Sequence, residues 1–188
     1  MQKEPLYIGD TPVHSQHRSV QGQYVTIEGE SWYKISNYDR MDPFFMSIVS
    51  DSDHWMFIWS TGALSAGRKD CDNALFPYYT DDKILDSSGI TGGMTLARVR
   101  TGNKRYLWEP FTLCCASLYR IERNCYKNTY GNKLIFEEVN HDLGLTFSYA
   151  WLNSEQFGFI KKARIINHGN GAVDMEILDC IQNILPPR

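Results

Sequence analysis

The sequence predicts an all-β protein, an antiparallel β-sandwich. Short segments rich in β-branched and aromatic residues recur along most of the chain. Turn signals built from Gly, Asn, Asp and Ser separate them. No stretch keeps a long helical period. Many strands joined by short turns stack as antiparallel layers around one core.

Taken in order, residues 1–20 are polar and are expected to form a loosely held leading segment, with the sandwich domain over 21–188. Strands are expected at 24–28, 32–36, 44–50, 55–60, 95–100 and 104–108. Further strands are expected at 119–123, 133–140, 145–152, 157–167 and 173–181. The clusters at 28–30, 50–53, 61–62, 101–103, 130–132 and 167–171 suit tight hairpins. In particular, 161–167 and 173–181 read as two strands joined by the glycine-rich hairpin. Residues 145–151 run Leu, Thr, Phe, Ser, Tyr, Ala, Trp, an alternation that marks a half-buried strand. Residues 66–91 break the rhythm and are expected to form a long loop, which in a compact domain is often functional.

Composition narrows the function classes. The 188 residues are 43% hydrophobic and 22% charged, enough to build a core. The net charge is -3 with signs interspersed, so no basic stripe suits a phosphate backbone and no nucleic-acid partner is expected. No segment approaches the about 20 apolar residues that span a bilayer, and residues 1–10 hold no signal-like apolar run, so no membrane partner is expected. The cysteines are Cys71, Cys114, Cys115, Cys125 and Cys180, an odd count without a C-x-x-C pair. Adjacent Cys114 and Cys115 are poor candidates for a bridge, and a reduced, cytoplasmic chain is the simplest expectation. Aromatic residues make up 13%; strand propensity explains most of them, and the rest are candidate sugar platforms.

Several constellations carry potential chemistry. Asp51, Asp53 and His54, followed by Asp70 and Asp72, offer metal-ligating atoms, but the spacing fits no known loop and a turn is the better reading. Glu137, Glu138, His141 and Asp142 offer acid–base groups, yet adjacent strand residues point to opposite faces, leaving one carboxylate per face. No G-x-S-x-G, P-loop or G-x-G-x-x-G motif is present, and the glycine-rich 87–93 stretch reads as a turn, so no cofactor is expected. The 68–83 loop is the strongest binding candidate. Arg68, Asp70, Tyr78, Tyr79 and Asp81 supply the planar polar groups and aromatic faces that hold sugars. The alternative is that this loop packs on another domain or covers a sheet edge.

These residues also carry a resemblance. The run Ser52-Asp53-His54-Trp55-Met56-Phe57-Ile58, then Gly67-Arg68 and the segment 73–83, resembles the N-terminal region of cellobiose phosphorylase-like proteins. So do Tyr106-Leu107-Trp108-Glu109-Pro110-Phe111, Tyr130-Gly131-Asn132-Lys133, and Asn140-His141-Asp142-Leu143-Gly144-Leu145 leading into 157–167 and Gly169. The similarity spans most of 24–186. It implies a galactose mutarotase-like β-supersandwich that precedes an (α/α)6 barrel. In that family the barrel carries the general acid and phosphate site, and the reaction is phosphorolysis of a β-glucosidic disaccharide. Nothing here matches the barrel, and the family's substrate-contacting Gln-Arg pair would fall beyond the strand ending near Ile181. The resemblance therefore implies a sandwich domain shortened at its C-terminal end.

The expected role is a non-catalytic, carbohydrate-associated module that buttresses a barrel, shapes a sugar site or forms a dimer contact. An aldose-epimerase-like enzyme would need a His and a carboxylate facing each other, with His141 and Glu138 the nearest pair to that requirement. A pure interaction domain is the third alternative. The apolar strand at 173–181 is expected to leave an edge or face open to self-association, with Pro186-Pro187 limiting pairing at the very end.

Overall fold

A computed structural model of the protein describes residues 5–14, 17–114 and 116–186. Strands β1 (Tyr7–Ile8) and β2 (Thr11–Pro12) form a small hairpin by themselves. Next come β3 (Gln21–Ile27), β4 (Glu30–Ser36), β5 (Phe45–Ile48), β6 (His54–Trp59) and β7 (Leu64–Arg68). A short helix α1 (Asp81–Asp86) precedes β8 (Gly92–Thr101) and β9 (Lys104–Trp108). The chain continues with β10 (Ile121–Asn128), β11 (Lys133–Asn140), β12 (Leu145–Ser154), β13 (Gly158–Asn167) and β14 (Asp174–Gln182).

The predicted antiparallel, sandwich-like architecture is what the chain adopts. One layer is a six-stranded sheet in the order β13-β12-β11-β10-β4-β3. Two three-stranded sheets, β14-β8-β9 and β5-β6-β7, complete the packing. Every strand pairing is antiparallel. A single apolar cluster draws from all three large sheets: Phe136, Phe147, Tyr149 and Trp151 meet Met56, Ile58 and Leu64 and also Ala97, Val99 and Trp108. The alternation read in 145–151 is present, with Leu145, Phe147, Tyr149 and Trp151 buried on one face.

Local chemistry explains several turns. Glu28 and Gly29 link β3 to β4 with φ of 51° and 80°, the two positive values that a tight two-residue hairpin requires. The β10–β11 turn is held by Asn128, whose Oδ1 accepts from the Asn132 and Lys133 N–H groups at 3.1 and 3.0 Å.

Three expectations are corrected. Segments 161–167 and 173–181 are not a hairpin: β13 pairs with β12, β14 pairs with β8, and residues 168–173 carry the chain between layers. Asn167 holds that passage locally, its Nδ2 donating to the Gly171 carbonyl at 2.7 Å and its Oδ1 accepting from Gly169 N–H at 2.9 Å. The strand expected at 119–123 begins at Ile121 and runs on to Asn128, because neighbours on both sides pair Asn124 through Lys127 and β4 also pairs Asn128, despite the polar Asn124, Lys127 and Asn128 side chains. Leu64–Arg68, unrecognised because Leu-Ser-Ala-Gly lacks β-branched residues, is a strand held by β6. Its edge takes one further bridge, from Gly67 to Ala74. The long 66–91 segment is thus the end of β7, a 3-10 turn at Cys71–Asn73 and α1. Cys71, Cys114, Cys125 and Cys180 are free thiols, whereas Cys115 and Pro187, on which two expectations fell, lie outside the described residues. Among the described residues no helix is long and apolar enough to cross a membrane.

Candidate functional site

Strand β6 reads His-Trp-Met-Phe-Ile-Trp, and its burial alternates strictly. His54, Met56 and Ile58 face the core, while Trp55, Phe57 and Trp59 face outward. The register sets Phe45 of β5 opposite Trp59. The outcome is a continuous run of rings: Trp59 to Phe45 at 5.6 Å, Phe45 to Phe57 at 5.7 Å, and Phe57 to Trp55 at 5.7 Å. Tyr78 extends it, its ring perpendicular to Trp55 at 5.5 Å. Such geometries are favourable beyond simple burial. Trp59 is anchored by Nε1 donating to the Asp81 carbonyl at 2.8 Å, and Trp55 Nε1 is buried without a partner among the described residues. Phe45 at 42% and Tyr78 at 56% remain the most exposed rings of the stripe.

At the Tyr78 end lies an open groove of about 820 Å³, lined among others by Arg68, Asp72, Asn73, Pro77 and Tyr78. Its opposite wall is the C-terminal segment Ile184, Leu185 and Pro186, pinned by Leu185 N–H donating to the Leu75 carbonyl at 2.8 Å. Gly67 makes the wall possible. A Cβ there would lie 2.5 Å from the Trp55 ring and 2.8 Å from Ala74 Cα, so only glycine allows the loop backbone to close on β7. Lys69 then turns the chain with φ of 64°, its N–H donating to the Asp53 carbonyl.

Of the five residues nominated from sequence, Arg68 and Tyr78 line this groove. Asp70 caps the 3-10 turn instead, accepting from the Asn73 N–H and Nδ2 at 3.2 and 2.7 Å. Asp81 opens α1 and serves the stripe through its backbone carbonyl. Tyr79 is exposed beside Tyr78. The nominated set omitted Trp55, Phe57, Trp59 and Phe45, which form most of the ring stripe. The strict alternation of rings in 54–59 is the signal that marks Trp55, Phe57 and Trp59, while Phe45 joins them only through the β5–β6 register.

Of the acidic groups singled out from sequence, Asp51, Asp53 and Asp72 are exposed, while the others are engaged within the fold. His54 is buried, with Nδ1 3.0 Å from Ser52 Oγ. Among the described residues no three His, Cys, Asp or Glu side chains gather to hold a metal. Glu137 and Glu138 do point to opposite faces. Glu138 is buried and accepts from Trp108 Nε1 at 2.8 Å, Phe111 N–H at 2.7 Å and Arg123 Nε at 2.8 Å. Arg123 is its cross-strand neighbour and also donates to the Thr112 carbonyl at 2.7 Å. On the other face, Glu137 accepts from Asn124 Nδ2 at 2.9 Å and Tyr126 OH at 2.7 Å. Burial, then the neighbouring Glu137 charge, hold the Tyr126 phenol protonated far above its ordinary range. His141 is exposed in the β11–β12 turn while Glu138 is buried, so the two do not face each other across the sheet.

Comparison of the chain with protein-family models and with curated proteins returns no match.

Proposed function

We propose that this chain is a cytoplasmic, non-catalytic module that binds carbohydrate, of the type that stands ahead of the barrel in cellobiose phosphorylase-like proteins. The observation that supports it is the ring stripe Trp59–Phe45–Phe57–Trp55–Tyr78 running into the Arg68 groove. A sugar presents an apolar C–H face and a rim of hydroxyls. The exposed rings accept the face, while Arg68, Asp72 and Asn73 offer donors and acceptors for the rim. The same geometry supports a binding role over catalysis. Acid–base transfer needs a carboxylate free to exchange its proton with substrate, and Glu138 is sealed under three donors.

Two assays test this reading. Incubation with cellobiose or related disaccharides and phosphate is expected to release no sugar phosphate above a denatured control. A panel of gluco-oligosaccharides in a binding assay is expected to give saturable binding. Turnover in the first, or no binding across the panel in the second, overturns the proposal.

A further inference from the structure

One side of the sandwich is open. There, among the described residues, β13 ends the six-stranded sheet with ten residues paired only to β12, and β14 ends its sheet with nine residues paired only to β8. The two edges flank the same inter-sheet slot, because Lys161 Nζ of β13 meets Asp179 Oδ1 of β14 across it. Three isoleucines face this slot without being covered. Ile165 lies opposite buried Phe147, Ile177 opposite buried Ala97 and Ile181 opposite Gly93 in register, yet they are 37%, 47% and 37% exposed. Long, unpaired, apolar edges invite strand addition.

Three of the remaining edges are blunted: strand β9 carries Lys104 and Arg105, β7 is bridged by Ala74, and β5 has four residues. The other, β3, is a seven-residue edge that bears no charge to match either open strand. Charge then selects the occupant of the open side. Strand β13 bears Lys161, Lys162 and Arg164 and no acid, while β14 bears Asp174, Glu176 and Asp179 and no base. Arg98 and Arg100 of β8 pair with Glu176 and Asp174, but Lys162 and Arg164 make no ion pair among the described residues. Joining β13 to β13, or β14 to β14, opposes like charges; joining β13 to β14 opposes unlike ones. A second copy of this chain offers both edges at once, and a two-fold arrangement makes the same contact twice.

We propose that two copies of this chain close each other's open side, β13 of each protomer adding to β14 of its partner. Light scattering on a dilution series of the 188-residue chain is expected to show mass rising toward twice the 21.7 kDa monomer. The double variants Lys162→Glu/Arg164→Glu and Asp174→Lys/Glu176→Lys are each expected to weaken the dimer at least about a hundredfold. An equimolar mixture of the two is expected to restore it, since one contact then joins both reversed edges and the other joins both native edges. Wild-type hydrogen exchange provides a reading independent of any variant: amide protection in β13 and β14 is expected to rise with concentration. A mass fixed at the monomer value, variants that dimerise unchanged, folded variants that fail to restore the dimer on mixing, or concentration-independent exchange in both strands overturns the proposal.

Discussion

The centre of the six-stranded sheet and the outer face of β6 treat polar groups in opposite ways. At the centre, Glu138, Arg123 and the Trp108 indole are all buried, and the carboxylate meets three donors within 2.8 Å. That arrangement also anchors the loop after β9. Phe111, held at φ of 68° in left-handed space that a bulky residue seldom occupies, hangs from Glu138 by its N–H and wedges its ring against Phe136, Phe147 and Tyr149. On the β6 face the rings pack in stacked, tilted and perpendicular pairs, yet Phe45 and Tyr78 stay partly exposed, and Arg68 stands exposed at the groove. Charge enclosed by its own partners holds the fold and is shut away from any substrate by burial. Chemistry left open at the surface contributes little to stability and is free to take a ligand. Glu138, a residue type often associated with catalysis, is therefore held as part of the fold, whereas His141 in the next turn is exposed.

Mutagenesis can break this contrast or sharpen it. The largest effect is expected for Glu138→Ala, which strands a buried arginine and should destabilise the fold by about 3–5 kcal/mol in urea unfolding. Tyr78→Ala should change stability by less than about 1 kcal/mol by the same method, as an exposed residue does. Similar costs at the two sites would erase the distinction between a structural centre and a binding face. Cys125 offers a second probe of enclosure. Burial raises its thiol from the ordinary 9.0 to about 12. It should therefore resist alkylation at pH 8 while Cys71 and Cys114 react, as peptide mass spectrometry would read. Because the folded state holds that proton more tightly, the associated stability is complete below pH 9 and declines as the pH rises from 9 toward 12. At the acid end, burial favours the protonated Asp142, but bonds from the Arg120 N–H and guanidinium prevail and lower its carboxyl below 3.8. Its stabilisation is present above that value and is lost as pH falls through the lowered folded value, a loss that Asp142→Asn should remove from an acid-melting series. The smallest effect is expected at the exposed Arg98–Glu176 pair, where Arg98→Ala should leave the thermal unfolding midpoint almost unchanged.

Much of the fold was legible because strand periodicity is a local signal. The strands Lys104–Trp108 and Lys133–Asn140 fall where β-propensity and flanking turns place them. Partner choice is not local. Nothing within residues 161–181 says that β14 leaves β13 to pair with β8 on the other layer; that follows from which apolar faces meet. Leu64–Arg68 shows the same limit, since pairing with β6 makes a strand of residues that lack strand propensity. At the candidate site, Arg68 and Tyr78 were legible as a polar and an aromatic group in one loop. Asp70 was not separable from them, because capping and ligand binding ask for the same side-chain oxygen. The stripe itself depends on the register that sets Phe45 opposite Trp59, which only the folded sheet supplies.

The most direct measurement is calorimetric titration of a gluco-oligosaccharide into the wild-type chain and into Tyr78→Ala, Arg68→Ala and Glu137→Gln. Saturable binding is expected in the wild type, weakened at least about tenfold, ~1.4 kcal/mol, by Tyr78→Ala or Arg68→Ala and unchanged by Glu137→Gln. Equal losses at all three positions, or no saturable heat in the wild type, would contradict the assignment of binding to the β6 face.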